Sequence, residues 1–250
     1  MHKFFTPKEN FIDKQAKILG DDVKHLYKVL RLNEGDKIVL NNCVGEEFLA
    51  TIALITKQEV IVDIEEKLQV NNESNVKIYL FQGLPKAQKM DLIVQKGTEL
   101  GITEFIPTLT ERVDIKLKGD FKKLDRLNRI ALEAAKQSKR SLVPKVVDPI
   151  SFEEALDKMK HLDIVIVPYE NAENFGIKTL FNETNIDISK INTVGVLVGP
   201  EGGFELDEIN KLKENGAYIV TLGSRILRTE TAGFVATSLV QYELGDLGGN

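Results

Sequence analysis

The chain has 250 residues, enough for one large core or two smaller ones. Its 42% hydrophobic and 28% charged composition, with no Gly/Pro-rich or low-complexity tract, excludes an intrinsically disordered protein. A net charge of −5 excludes a surface coated throughout in positive charge for non-specific nucleic-acid binding, so basic patches must be sought segment by segment. The lone cysteine, Cys43, excludes an intramolecular disulfide and a Cys-based zinc site, and His2, His25 and His161 are scattered, so no metal is expected.

The opening stretch MHKFFTPKEN holds no apolar run of signal-peptide length, and runs such as VGVLVG fall far short of a membrane span. A reducing, cytoplasmic location without a membrane partner is the expectation. DDVKHLYKVLRL (21–32) reads as a short helix on which His25, Lys28 and Arg31 recur every three residues and share a face, either solvated or in contact with RNA. DKIVLNNC (36–43), EEFLATIALIT (46–56) and EVIVDIEE (59–66) are β-branched runs separated by turn signals, which predicts a small barrel or curled sheet. Polar LQVNNESN (68–75) reads as a linker and separates a domain over 1–72 from one over 73–250.

Beyond the linker the pattern alternates. Strand VKIYLFQGL (76–84), helix KMDLIVQKGTELG (89–101) and strand ITEFIPTL (102–109) are followed by a long helix over about 120–140 and another at 151–159. Strands LDIVIVP (162–168) and TVGVLVG (193–199), helix ELDEINKLKENG, strand AYIVTLG (217–223) and helix TAGFVATSLVQYEL complete the chain. Apolar strands alternating with helices predict an α/β fold with a parallel sheet covered on both faces, and a ligand site at the strands' C-terminal ends.

In the long helix, one residue per 100° places Lys122, Arg126, Arg129, Lys136 and Arg140 in one stripe, interrupted by Glu133, with Leu124, Leu127, Ala131, Ala134 and Ala135 opposite. Residues 116–140 carry nine Lys/Arg against three Asp/Glu. This is either a solvated face or a track for a phosphate backbone, which Lys86, Lys89, Arg112 and Lys116 would extend.

The glycine-rich stretch GPEGG after strand 193–199 invites a phosphate-loop reading, since backbone amides at a helix N-terminus bind anions. However, no Lys-Ser/Thr follows it, and the carboxylates of Phe204-Glu205-Leu206-Asp207-Glu208 would repel a phosphate there. Glycines admit a flat ligand close to the backbone and Glu201 adds negative charge, which suits a purine with a positive centre such as the sulfonium S-adenosylmethionine. The plainer alternative is a tight turn stiffened by Pro200. LGSRILRTETAGFVA then sets Arg225, Arg228 and Glu230 at a strand-to-helix junction, where Thr229 or Thr231 would be the N-cap.

KFF at 3–5, HLYKVLRLNEGD at 25–36, KAQKMDLIVQKGTELGI at 86–102 and PTLTER at 107–112 carry a resemblance that continues through RIALEAAKQSKRSLVP at 129–144. VLVGPEGGFELDEI at 196–209 and LGSRILRTETA at 222–232 complete it and are its most specific parts. Nearly end to end, the chain resembles the RsmE-type 16S rRNA uridine methyltransferases of the SPOUT superfamily. The resemblance implies a small N-terminal PUA-like β-barrel that helps hold RNA, and a C-terminal SPOUT-type parallel sheet with a trefoil knot. It also implies a homodimer and methyl transfer from S-adenosyl-L-methionine to N3 of uridine 1498 of 16S rRNA in the 30S subunit.

By family position the cofactor would be held by Pro168 and Glu170, with Tyr169 between them, by Leu197, Val198, Gly199, Pro200, Glu201, Gly202 and Gly203, and by Leu222, Gly223, Ile226, Leu227 and Arg228. Arg228 is the expected stabiliser of charge developing on the uracil, with Glu230 or Glu201 as base or orienting group. Glu230 also fits a purely structural part, since the helix dipole favours it in the first turn. RNA contacts are expected at Lys3, His25, Lys28, Arg31, Lys89, Arg112, Arg126, Arg129, Lys136 and Arg140. The competing readings are a non-catalytic RNA-binding ribosome-assembly factor and a nucleotide-dependent enzyme.

Overall fold

The computed structural model describes residues 1–69, 72–114 and 121–249; Lys116 lies outside the described residues. Contacts divide the chain into two units, Met1–Glu73 with Ala135–Val143, and Ser74–Ala134 with Pro144–Asn250.

In the first unit the β-branched runs pair into a six-stranded sheet. It contains β1 (Lys3–Phe5), β2 (Phe11–Ile12), β3 (Gln15–Leu19), β4 (Lys37–Asn41), β5 (Glu47–Ile55) and β6 (Glu59–Leu68), in the order β1-β4-β5-β6-β3-β2. Every neighbouring pair is antiparallel except β1 with β4. Alternation along the strands sends Ile18, Ile38, Leu40, Ile52, Val60 and Val62 into one core. Each such side chain stabilises by about 1.5–3 kcal/mol.

The helix expected over 21–32 is shorter and less regular. A four-residue α-helical turn, α1 (Asp21–Lys24), runs into a π-helical turn over His25–Val29, and Arg31 follows at φ 55°. Leu26, Leu30 and Leu32 all reach the core, a spacing that a regular α-helix does not satisfy. His25, Lys28 and Arg31 are exposed, but the α-helical face proposed for them is absent.

Residues 135–143 pack within this unit. The Asn41 amide donates to the Ser141 carbonyl at 2.9 Å, and Val44 bridges to Leu142.

The second unit is built on an all-parallel, seven-stranded sheet. Its elements are β7 (Lys77–Gly83), α2 (Lys89–Glu99), β8 (Ile102–Leu109), α3 (Leu124–Gln137), β9 (Lys145–Val146), β10 (Ile150–Ser151), α4 (Phe152–Met159) and β11 (Ile164–Pro168). They continue with α5 (Ile177–Glu183), β12 (Thr193–Val198), α6 (Leu206–Glu214), β13 (Tyr218–Val220) and α7 (Thr229–Leu244). The strand order is β10-β8-β7-β12-β11-β13, with β9 beside β8.

Both sheet faces are apolar, which is why the strands read as continuous hydrophobic runs. Ile78, Leu80, Ile166 and Val196 pack on one side with α2, α3, α5 and α7, while Phe81, Val165, Val167 and Leu197 pack on the other with α4 and α6. Ser151 caps α4 through a capping box with Glu154. The register aligns Val198 with Gln82, and Pro168 with Val220, so the chain leaves β7, β12, β11 and β13 at one end of the sheet.

The basic stripe is shorter than the wheel predicts. Leu127, Ala131, Ala134 and Ala135 are buried as expected, and Arg126 and Arg129 are exposed. Helix α3, however, stops at Gln137 and Lys139 turns the chain at φ 59°, which takes position 140 off the helical wheel. Arg140 is 5% exposed and its Nη2 donates to Glu73 Oε2 at 2.6 Å, an internal tie rather than part of an outer ridge.

Candidate active site

The loops after β11, β12 and β13, with the starts of α2 and α7, enclose a cavity of about 470 Å³ in the second unit. Pro168, Glu170, Val198, Gly199 to Gly203, Leu222, Gly223, Ile226, Leu227 and Arg228 all line it, as do Tyr169, Thr221, Ser224, Arg225, Thr229 and Ala232. Leu197 does not line it. The pleat of β12 that turns Val198 toward the cavity turns Leu197 away into the core around Phe81 and Phe204, where it is fully buried.

The GPEGG loop is held from three sides. On the first, Gly83 at the end of β7 leaves no room for a side chain: a Cβ there would lie 2.5 Å from the Pro200 nitrogen. On the second, the Thr229 hydroxyl donates to the Gly199 carbonyl at 2.6 Å and accepts from the Gln82 amide at 2.8 Å, joining β7, β12 and α7. Thr229 is therefore a tie and not the helix cap; Arg228 occupies the N-cap position, which corrects the expectation for Thr229 or Thr231. On the third, Arg112 donates from Nε to Glu205 Oε1 at 2.7 Å and from Nη1 to the Gly202 carbonyl at 2.9 Å. Arg112, expected on the RNA surface, braces the loop. Gly203, at φ 69°, closes it with its N–H donating to the Pro200 carbonyl at 3.0 Å.

At the start of α6, Glu208 accepts the N–H of Glu205 at 2.9 Å and that of Glu111 at 3.0 Å. This helix N-terminus already carries its own carboxylates, which disfavours a phosphate there.

Lys89 changes place most. Expected among the RNA contacts, its ammonium stands in the cavity wall, 2.9 Å from Glu201 Oε1 and 3.6 Å from Glu230 Oε2. Glu201 also accepts the Lys86 N–H at 3.1 Å. Burial of Glu201 opposes its ionisation, but the bonds from Lys89, from its own N–H and from Lys86 outweigh that and hold the carboxyl below the usual range. The bond to Glu201 raises Lys89 above its ordinary value against a smaller desolvation effect, so both stay charged at neutral pH.

Across from Gly203, Glu170 has no hydrogen-bond or ion-pair partner for its carboxylate among the described residues. Arg225 and Arg228 are exposed at the rim with no carboxylate partner among the described residues, and Ile226 beside them is 88% exposed.

The remaining expected RNA contacts do not gather here. Lys3 pairs with the buried Glu47 at 2.5 Å and Lys136 with Asp22 at 3.3 Å, both in the first unit. Arg126 pairs with Asp91 in the second. Burial pushes the Cys43 thiol up to about 11, so it offers no thiolate at neutral pH. Among the described residues no group of three or more His, Cys, Asp or Glu could hold a metal, and no helix is long and apolar enough to cross a membrane.

Residues 72–241 match the RNA methyltransferase domain family and residues 18–65 the RNA methyltransferase PUA domain. The chain is 38% identical over 228 residues to Ribosomal RNA small subunit methyltransferase E of Bacillus subtilis (strain 168), covering 90% of this chain and 89% of that protein. Among solved structures it is similar to Ribosomal RNA small subunit methyltransferase E from Neisseria gonorrhoeae bound to S-adenosyl methionine. That likeness has TM-score 0.79 and 31% identity, over 98% of this chain and 99% of the other. A putative methyltransferase from Legionella pneumophila in complex with the bound cofactor SAM is similar at TM-score 0.77 and 30% identity, over 98% of each chain.

Proposed function

The chain belongs to the ribosomal RNA small subunit methyltransferase E family, and from that membership and its cavity we propose that it is an S-adenosyl-L-methionine-dependent rRNA methyltransferase. In finer terms, it methylates N3 of uridine 1498 of 16S rRNA in the 30S subunit, as a cytoplasmic homodimer. The reading assigns RNA holding to a PUA-like domain over 1–72 and catalysis to a trefoil-knotted SPOUT domain over 73–250. The observation that carries it is the meeting of the GPEGG and LGSRILRTET loops around one cavity.

The residues present fit the cofactor. The cavity has the volume of a small-molecule site, and Gly199, Gly202 and Gly203 form a wall in which any side chain would crowd Phe204, Arg112 or Glu170. Glu170 is an unpaired acceptor for a hydroxyl or ammonium group, and its carboxylate favours a positive centre placed beside it. S-adenosyl-L-methionine, when bound, supplies an electrophilic methyl group. Arg228 supplies positive charge where the uracil oxygens gain negative charge, and holding both reactants in one cavity removes much of the entropic barrier.

Apolar Ile226 and Tyr242, 88% and 65% exposed, support a partner subunit as their cover. A non-catalytic assembly factor would have no use for this cavity, and a phosphate-binding enzyme would have to displace Glu205 and Glu208.

Calorimetry separates the three readings. S-adenosylhomocysteine should bind and ATP should not; no binding at high ligand concentration would sink the methyltransferase reading. Arg126→Glu combined with Arg129→Glu should weaken rRNA binding and flatten its salt dependence while leaving S-adenosylhomocysteine affinity unchanged. Equal loss of both would point to misfolding.

A further inference from the structure

Lys89 and Glu230 set two opposite chemistries side by side: an ammonium that only donates and a carboxylate that only accepts. The two carboxylates near Lys89 are not equivalent. Glu201 takes donors from Lys89 and the Lys86 backbone, whereas Oε2 of Glu230 is buried and has no hydrogen-bond partner among the described residues. Its nearest cation, Lys89, stands at 3.6 Å, beyond hydrogen-bond reach. Leaving such an oxygen unsatisfied is costly. The dipole of α7 accounts for an acidic residue in the first turn, but an outward-facing carboxylate would serve it equally well. Glu230 does not itself line the cavity, but its buried oxygen, ion-paired to the cavity-lining Lys89 and without a hydrogen bond, is an acceptor that a donor reaching past Lys89 would satisfy.

Resting on the methyltransferase reading above, we propose that Glu230 and Lys89 together read the Watson–Crick edge of the target base. Glu230 Oε2 accepts N3–H and Lys89 Nζ donates to O4. Uracil presents this acceptor–donor order; cytosine reverses it, with an amino group at position 4 and a bare N3, and would set donor against ammonium and lone pair against carboxylate. The same contact assigns the base. The N3 proton passes to Glu230, and N3 uses the freed electron pair to form the N–CH3 bond. The S–CH3 bond breaks with its pair staying on sulfur, which becomes a neutral thioether, and Glu230 then releases the proton to water. Glu201 is the positioning residue that holds the ammonium.

The experiment uses the full-length protein and small subunits lacking the modification, carrying either the natural uridine or a cytidine at the target position. Single-turnover methyl transfer is measured alongside S-adenosylhomocysteine affinity. Glu230→Gln keeps the side chain's volume and should lose at least ~100-fold of transfer to uridine with cofactor affinity retained. Lys89→Met should lower the uridine-to-cytidine rate ratio by at least ~10-fold. A wild-type rate for Glu230→Gln, or rate and cofactor affinity falling together, overturns the inference. Should Glu230→Gln fail to fold, Lys89→Met carries the test, and an unchanged ratio overturns the base reading. Wild-type protein that binds no S-adenosylhomocysteine or leaves uridine unmethylated removes the methyltransferase reading itself; wild-type activity with indifferent variants removes this inference alone.

Discussion

Arg228→Ala is expected to lower methyl transfer by ~100-fold or more while the protein stays folded and still binds S-adenosylhomocysteine. The guanidinium lies at the cavity rim, exposed, with no carboxylate partner among the described residues. Its loss therefore strands no buried charge, and the stability change should stay within about 0.5 kcal/mol, as for an ordinary surface substitution. The residue's hold on α7 is through its backbone: the Ala232 N–H donates to the Arg228 carbonyl at 2.8 Å, a bond alanine keeps. What alanine cannot supply is the positive charge that the proposed reaction needs where the uracil becomes anionic. Single-turnover rates on unmodified small subunits, alongside thermal unfolding, check this; an unchanged rate would remove Arg228 from the mechanism.

Gly83→Ala should damage the site by a different route, through backbone collision. The new Cβ would stand 2.5 Å from the Pro200 nitrogen, 2.6 Å from Pro200 Cδ and 2.9 Å from the Gly199 carbonyl carbon. None of these is the free tip of a flexible side chain, so the GPEGG loop itself must move. Overpacking of this kind costs about 1–3 kcal/mol of stability. A displacement approaching ~1 Å in this wall of the proposed cofactor cavity should cost on the order of 100-fold in turnover. Calorimetry should show weakened S-adenosylhomocysteine binding together with a lower melting temperature. Full affinity at unchanged stability would mean that the close approach of β7 to the loop does not shape the site.

Much of the second unit was legible because its chemistry is local. IVIVP and TVGVLV are short, β-branched apolar runs, as strands buried on both faces require, and the punctuation at GPEGG and LGSR marks where the strands before them end. β1 to β3 were missed since KFF is too short to show a period, and QAKIL places Lys17 within its run. Of the residues expected to hold the cofactor all but Leu197 line the cavity, the exception arising because a motif lists consecutive residues while a pleated strand sends them to opposite faces.

The place of Lys89 in the cavity wall was hidden for a deeper reason. In KAQK it looks like one of several surface cations, whereas Glu201 and Glu230, which give it its meaning, lie more than a hundred residues downstream. Arg112 is the same case, since its partners are on the GPEGG loop and at the start of α6. Arg140 was misread because a helical wheel has no means of knowing that Lys139 turns the chain. Charge patterns report composition along a face; pairing is decided by the fold.

The most direct measurement is nucleoside mass spectrometry, with positional mapping, of 16S rRNA from unmodified small subunits incubated with the protein and S-adenosyl-L-methionine. The expected result is N3-methyluridine at position 1498 and nowhere else; rRNA without a new methyl group, or with one on another base or position, would contradict it.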